Sequence, residues 1–120
     1  MNPLRSLADE CVNHHLIAQL RQLELDMDIL VVGEAGAPPK GTEDPDVVLA
    51  GEALGRTIIS DDRSSMTKHL AAHFQAGHHT AGLVLLRTWF SVARYAAEIR
   101  LTGIATAADE WVDRTDYIPY

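Results

Sequence analysis

The sequence predicts an α/β domain, with a mostly parallel sheet of about four strands and helices on both faces. Two observations carry that prediction. Short apolar or β-branched runs, among them Asp28-Ile29-Leu30-Val31-Val32, Thr57 to Ser60 and Leu83 to Leu86, alternate with segments of helical period. Three of the four helical segments also close on a glycine: Gly55, Gly77 and Gly103 follow the last periodic residues.

Taken in order, Arg5-Ser6-Leu7-Ala8 reads as a short first strand. Val12, Leu16, Leu20 and Leu23 recur at helical spacing and predict an amphipathic helix over residues 11–24. Asp28 to Val32 is a buried-type strand stopped by Gly33, and Gly33 to Thr42, with Gly36, Pro38-Pro39 and Gly41, is a loop. Asp44-Pro45 reads as an N-cap followed by proline in the first turn, opening a helix with Val47, Ala50, Gly51 and Leu54 on one face. Thr57 to Ser60 is a third strand, rich in β-branched residues. Met66, Leu70 and Phe74 mark the next helix, Leu83 to Leu86 a fourth strand, and Trp89, Val92, Ala96 and Ile99 a last long helix. In the tail, Ala107 to Trp111 could extend a helix, while Tyr117-Ile118-Pro119 reads as extended.

Length and composition bound the function. A chain of 120 residues is a single domain with one core, and 47% apolar with 22% charged residues is ordinary globular composition. No apolar run approaches the ~18 residues of a membrane span, and Met1-Asn2-Pro3-Leu4-Arg5 predicts no signal peptide. Cys11 is the only cysteine, so an internal disulfide is excluded, in keeping with a reducing cytoplasm; its expected role is a small buried residue. A net charge of −7 argues against a generic nucleic-acid binder. The charge is uneven, however. Residues 1–62 hold twelve acidic and four basic side chains, whereas 63–104 hold five basic ones against Glu98 alone. A basic middle beside an acidic site suits a phosphate-bearing substrate; a solvated helix face is the plainer reading.

Three aspartates share one kind of position. Asp9 follows the first strand, Asp62 the third, and Asp46 opens the helix between the second and third. The simplest right-handed topology puts strand 1 in the middle, strand 2 on one side, and strands 3 and 4 on the other. The switch point then lies between strands 1 and 3, with Asp9 and Asp62 at its mouth and Asp46 at the same edge. Carboxylates gathered there repel one another unless a divalent cation sits between them. The pattern therefore predicts a hard-metal site.

The blocks Leu7-Ala8-Asp9-Glu10, Val31-Val32-Gly33-Glu34-Ala35-Gly36, Asp44 to Ala50 and Gly55-Arg56-Thr57-Ile58-Ile59-Ser60-Asp61-Asp62 resemble small stand-alone PIN-like domains. These are compact relatives of the PIN ribonucleases that serve as toxins in bacterial toxin–antitoxin pairs. The resemblance runs from about Leu7 to Leu86; residues 87–120, a helix and tail, are less familiar. It implies one three-layer PIN-like domain over residues 1–120 and a cytoplasmic endoribonuclease that cuts single-stranded RNA. It also implies a Mg²⁺ or Mn²⁺ site and a small antitoxin partner. Asp9, Asp46 and Asp62 match the family's acidic positions. The family usually has a further aspartate where this chain has Ser64, so the fourth acid is Asp61 or Glu10, or a second metal is weak or missing. Without it, the fold could also serve as a catalytically silent interaction module.

Asp9 and Asp62 are the best candidates for direct metal ligands, with Asp46 holding a metal-bound water or a second ion. Asp62 could equally cap the helix from Arg63, Asp46 favour the helix dipole, and Asp44 be the N-cap itself. Glu34 has a loop role as readily as a site role. Arg63 or Lys68, or else Lys40 and Arg56, would hold an RNA backbone. His69 and His73, spaced i, i+4 and followed by His78-His79, form a possible zinc cluster. Lys68-His69-Leu70-Ala71-Ala72-His73 lacks the zincin glutamate, however, so partly exposed helix histidines are expected there and at His14-His15. Trp89, Phe90, Trp111, Tyr117 and Tyr120 load the C-terminal part with aromatics suited to a homodimer or antitoxin contact, although Trp89 is expected in the core. Acidic strand ends also suit a receiver-type domain, but no lysine follows Lys68 to complete one.

Overall fold

The computed structural model describes residues 4–23 and 27–119, with only the backbone at position 63. The predicted α/β class holds. Five strands, β1 (Arg5–Ala8), β2 (Asp28–Val31), β3 (Thr57–Ser60), β4 (Leu83–Leu86) and β5 (Thr115–Ile118), form one sheet in the order β2-β1-β3-β4-β5. Every neighbouring pair is parallel. The helices are α1 (His14–Leu23), α2 (Asp44–Leu54), α3 (Arg63–Gln75) and α4 (Val92–Ala105), with a short 3₁₀ turn at Ala108–Trp111. Among the described residues no helix is long and apolar enough to cross a membrane.

The two-residue period of a strand sorts the core into two layers. Leu7, Ile58, Leu83 and Leu85 point to one face and pack with Val47 and Val48 of α2 and Met66 and Leu70 of α3. Ala8, Ile59, Val84 and Leu86 point to the other and pack with Leu16, Ile17 and Leu20 of α1 and Ala96 and Ile99 of α4. Burial on both faces is why these strands read as continuous apolar runs.

Local chemistry sets the element ends. Asn13 Oδ1 accepts the His15 N–H at 2.8 Å, so α1 begins at His14 rather than Cys11, leaving a tight turn behind Asp9. Gly55 ends α2 in the left-handed region, φ 65°, as its position in the sequence predicts. Helix α4 runs through Gly103 to Ala105, and Thr106 closes it by bonding to the Thr102 carbonyl. Gly82, with φ 109°, stands where a Cβ would lie 2.7 Å from the Trp111 carbonyl oxygen.

The tail differs most from expectation. Ala107–Trp111 does not extend α4; it folds into the 3₁₀ turn, and Thr115–Ile118 adds a fifth strand beside β4. Trp111 is wholly buried and its indole N–H donates to Thr106 Oγ1 at 2.8 Å, so it belongs to the core rather than to a contact surface. Trp89 reverses its expected place: it is 96% exposed with φ 72°, because β4 stops at Leu86 and Ser91 caps α4, leaving it on the connecting loop. Phe74 and Phe90 are partly exposed. Glu24, Tyr120 and the Arg63 side chain lie outside the described residues.

Candidate metal centre at the carboxyl edge

Strand β1 hands the chain to Asp9 at the switch point. The Asp9 N–H still donates to the Ile59 carbonyl of β3, at 2.9 Å, so the residue sits over the seam from which the crossovers diverge. The chain then turns back, with Val12 N–H bonding to the Asp9 carbonyl. This leaves Asp9 only 4% exposed. Its Oδ1 accepts the Glu10 N–H at 2.8 Å, and the Cys11 thiol and Ser60 hydroxyl each donate to Oδ2 at 3.4 Å. Burial holds the Asp9 carboxyl above its ordinary value, and the charge of Asp44 adds to this against the pull of those hydrogen bonds. Among the described residues no basic side chain is bonded to it. A buried carboxylate without a cation is a costly arrangement.

The helix-start acid nearest in influence to Asp9 is Asp44. Glu43 takes the N-cap conformation without a side-chain bond, which makes Asp44 the first helical residue and Pro45 the second. Asp44 is half-buried, and its Oδ2 accepts the Ser65 hydroxyl of α3 at 2.5 Å. Asp46, further along the same first turn, is exposed at the rim.

Asp62 caps α3: its Oδ1 accepts the Ser65 N–H at 3.2 Å, the alternative role that the sequence left open. Its own N–H donates to Ser60 Oγ at 3.1 Å, so one hydroxyl links the Asp62 backbone to the Asp9 carboxylate. Asp61 is exposed beside Cys11. Desolvation, together with Asp61 and Asp9, pushes that thiol up to about 12, so without a cation beside it Cys11 stays protonated at neutral pH. Contrary to expectation Cys11 is exposed, since it lies in the turn before α1.

Of the remaining predicted residues, Glu10 fastens the 33–42 loop by accepting the Gly41 N–H at 2.8 Å. Glu34 has a loop role, receiving Arg21 and the Val31 N–H. Arg63 is the first residue of α3, Lys68 is exposed on that helix, and Ser64 shares an open groove with Asp61 and Asp62. Arg56 points away from this edge: it bonds Ser6 O and Asp28 at the amino ends of the strands.

The edge thus gathers Asp9, Asp44, Asp61 and Asp62 around Ser60 and Cys11, with Asp46 and Lys68 peripheral. Their donors are oxygen, the set suited to Mg²⁺ or Mn²⁺. Among the described residues no three of these acids bring their oxygens within 4.8 Å of one another; the group that meets that limit is Glu52, His73 and His78, elsewhere in the fold. Sequence reading missed Asp44, Ser60 and Cys11 as neighbours of Asp9. Ser60, two residues before Asp62, and Cys11, two after Asp9, were the available signals.

No protein-family model matches the sequence, and no curated protein or solved structure matches the chain. The order β2-β1-β3-β4-β5 is shared by flavodoxin-like and receiver-like sheets, so topology marks the edge where a ligand binds without choosing a family.

Proposed function

We propose that the chain is a PIN-like, Mg²⁺- or Mn²⁺-dependent endoribonuclease acting on single-stranded RNA, the toxin half of a toxin–antitoxin pair. The observation that carries this reading is Asp9: a buried carboxylate at the switch point, held above its ordinary pKa, with acids around it and no basic partner among the described residues. Such a group is stabilised by a hard cation. Asp9 would ligate the ion, with Asp44, Asp61 and Asp62 supplying further oxygens directly or through water. A bound ion of this kind polarises a phosphodiester and lowers the pKa of its water. The chain's own part is to hold the scissile phosphate at the edge. Ser60 fixes the Asp9 carboxylate, and the loop after β4 offers a surface to the strand. There Trp89 is exposed, Arg94 lies 5.6 Å over the Phe90 ring and Arg87 5.2 Å over Tyr117. Aromatics interleaved with arginines suit stacked bases and a phosphate backbone. The antitoxin partner rests on the sequence resemblance, the homodimer on the C-terminal aromatics, and the cytoplasmic setting on the resemblance and the single cysteine.

A second reading, a catalytically silent interaction module, is favoured by Ser64 and by the spread of the acids. A receiver-like domain agrees with the sheet order but has no lysine beyond Lys68. The purified chain with Mn²⁺ should cleave single-stranded RNA, and Asp9→Asn should abolish cleavage. Equal cleavage by both would trace the activity to contamination. Mn²⁺ binding without cleavage would select the silent module.

A further inference from the structure

The opposite edge of the sheet carries a second cluster, independent of the acidic crevice. Glu52 lies near the end of α2, His73 near the end of α3, and His78 in the turn that leads to β4. His78 Nδ1 is 3.0 Å and His73 Nε2 is 3.4 Å from the same oxygen, Glu52 Oε1. One donor atom from each of the three lies within 4.8 Å of the other two. Bonds of about 2.0–2.1 Å to a tetrahedral ion space its ligands roughly 3.3 Å apart, close to these separations.

The surroundings hold the donors in place. His73 is only 7% exposed. The second oxygen of Glu52 accepts the His79 N–H at 2.8 Å, which fixes the carboxylate plane. The His79 ring pairs with Asp113 at 2.7 Å, and Asp113 also accepts the Thr80 N–H, so the turn is tied to the segment before β5. Outer partners of this kind orient metal ligands. His73 Nε2 faces the His79 carbonyl at 2.9 Å and donates to it. Binding an ion there moves the ring proton to Nδ1, and the His79 carbonyl is left beside the ion. A groove of about 380 Å³, lined by Phe74, Gly77, His78, His79 and Asp113, borders the cluster at His78, whose ring is exposed.

We infer that Glu52, His73 and His78 form a zinc site that clamps α2 to the turn between α3 and β4, with a remaining position open to water. Two imidazoles and one carboxylate are a borderline donor set, which selects Zn²⁺ over Mg²⁺ or Ca²⁺. The site differs from the histidine cluster considered from sequence: His69 takes no part, and the acid comes from another helix.

The test uses the full chain stripped with a chelator and titrated with Zn²⁺ alone, followed by calorimetry and thermal unfolding. One equivalent should bind and raise the melting temperature. His78→Ala should leave the chelated protein folded, at most slightly less stable for the lost Glu52 contact, and weaken zinc binding at least tenfold. Glu52→Gln should weaken it as well, and Asp9→Asn should bind zinc as the wild type does. Absence of zinc binding, or full-affinity binding by both His78→Ala and Glu52→Gln, would overturn the inference. So would loss of zinc binding in Asp9→Asn, because the ion would then belong to the carboxyl edge.

Discussion

Replacing Asp9 with asparagine should stabilise the metal-free protein while removing its response to Mn²⁺. The native carboxyl titrates above its ordinary value of 3.8, chiefly because it is buried. The folded state therefore binds more protons than the unfolded chain between 3.8 and the native value. Asp9's contribution to stability is fully present below 3.8 and is lost as pH rises through the native pKa. One proton limits that slope to about 1.4 kcal/mol per pH unit. For 120 residues, an unfolding entropy of about 2.1 cal/mol/K per residue makes this a fall of at most about 5 °C per pH unit. Asp9→Asn has no such titration. It keeps the Glu10 N–H bond through its amide oxygen, and it should melt above wild type at pH 7 in chelator. Mn²⁺ at one hundred times its dissociation constant adds about 2.7 kcal/mol, close to 11 °C, to wild type and nothing to the variant. The assay is thermal unfolding of both proteins from pH 3 to 8, with chelator or Mn²⁺. An asparagine variant that melts below wild type at pH 7 in chelator would refute the argument, since Asp9 would then be a structural hydrogen-bonding residue. Equal Mn²⁺ shifts in both proteins would refute the site.

Substitutions at three other residues separate roles that overlap at this edge. Asp62→Asn retains an N-cap acceptor for Ser65 and should unfold within about 0.5 kcal/mol of wild type while binding Mn²⁺ more weakly; Asp62→Ala should lose about 1 kcal/mol in urea as well. If Asp62→Asn binds Mn²⁺ like wild type, Asp62 is a cap and nothing more. With its thiol pushed up to about 12 from 9.0, exposed Cys11 should alkylate on the order of a thousandfold slower than a free thiol at pH 8, and Asp61→Asn should speed it. A rate like that of a small thiol would show that the carboxylates do not control it. Trp89→Ala should leave stability unchanged and weaken single-stranded RNA binding by about 1–3 kcal/mol in fluorescence titration; a destabilised variant would place the ring in the core after all.

Much of the scaffold was legible because the strands carry two overlapping apolar patterns. Leu83, Val84, Leu85 and Leu86 are all buried, so a run without polar breaks marks a strand covered on both sides. Strand β5 was harder to see: Thr115, Asp116 and Tyr117 are only half-buried at the sheet edge, and the run is short. Helical period located α4 but misplaced Trp89, because counting in steps of three and four does not reveal where a cap stops the count. Trp111 took the core place instead, because the chain after α4 folds into a 3₁₀ turn that helical counting does not show. At the site, Asp9 was visible from its place after a strand. Asp44 was not, because its orientation depends on Glu43 taking the N-cap conformation. The group joins Glu52 to His73 and His78, both more than 20 positions further on, and only the packing of α2 on α3 brings the acid to the histidines.

Burial on both faces has a further consequence for how this sheet avoids mispairing. A strand with an apolar and a polar side is locked in alignment by its pattern, since sliding one residue exposes the wrong half. Strands β3 and β4 lack that protection, as every residue in them is buried. Alignment is instead marked by polar contacts at the strand ends: Thr57 Oγ1 on the Ala81 carbonyl, Arg56 on the Ser6 carbonyl, Ser60 Oγ on Asp9. The edges that hold the two candidate metal sites therefore also work as the sheet's alignment marks, and altering them for chemistry puts strand pairing itself under selection.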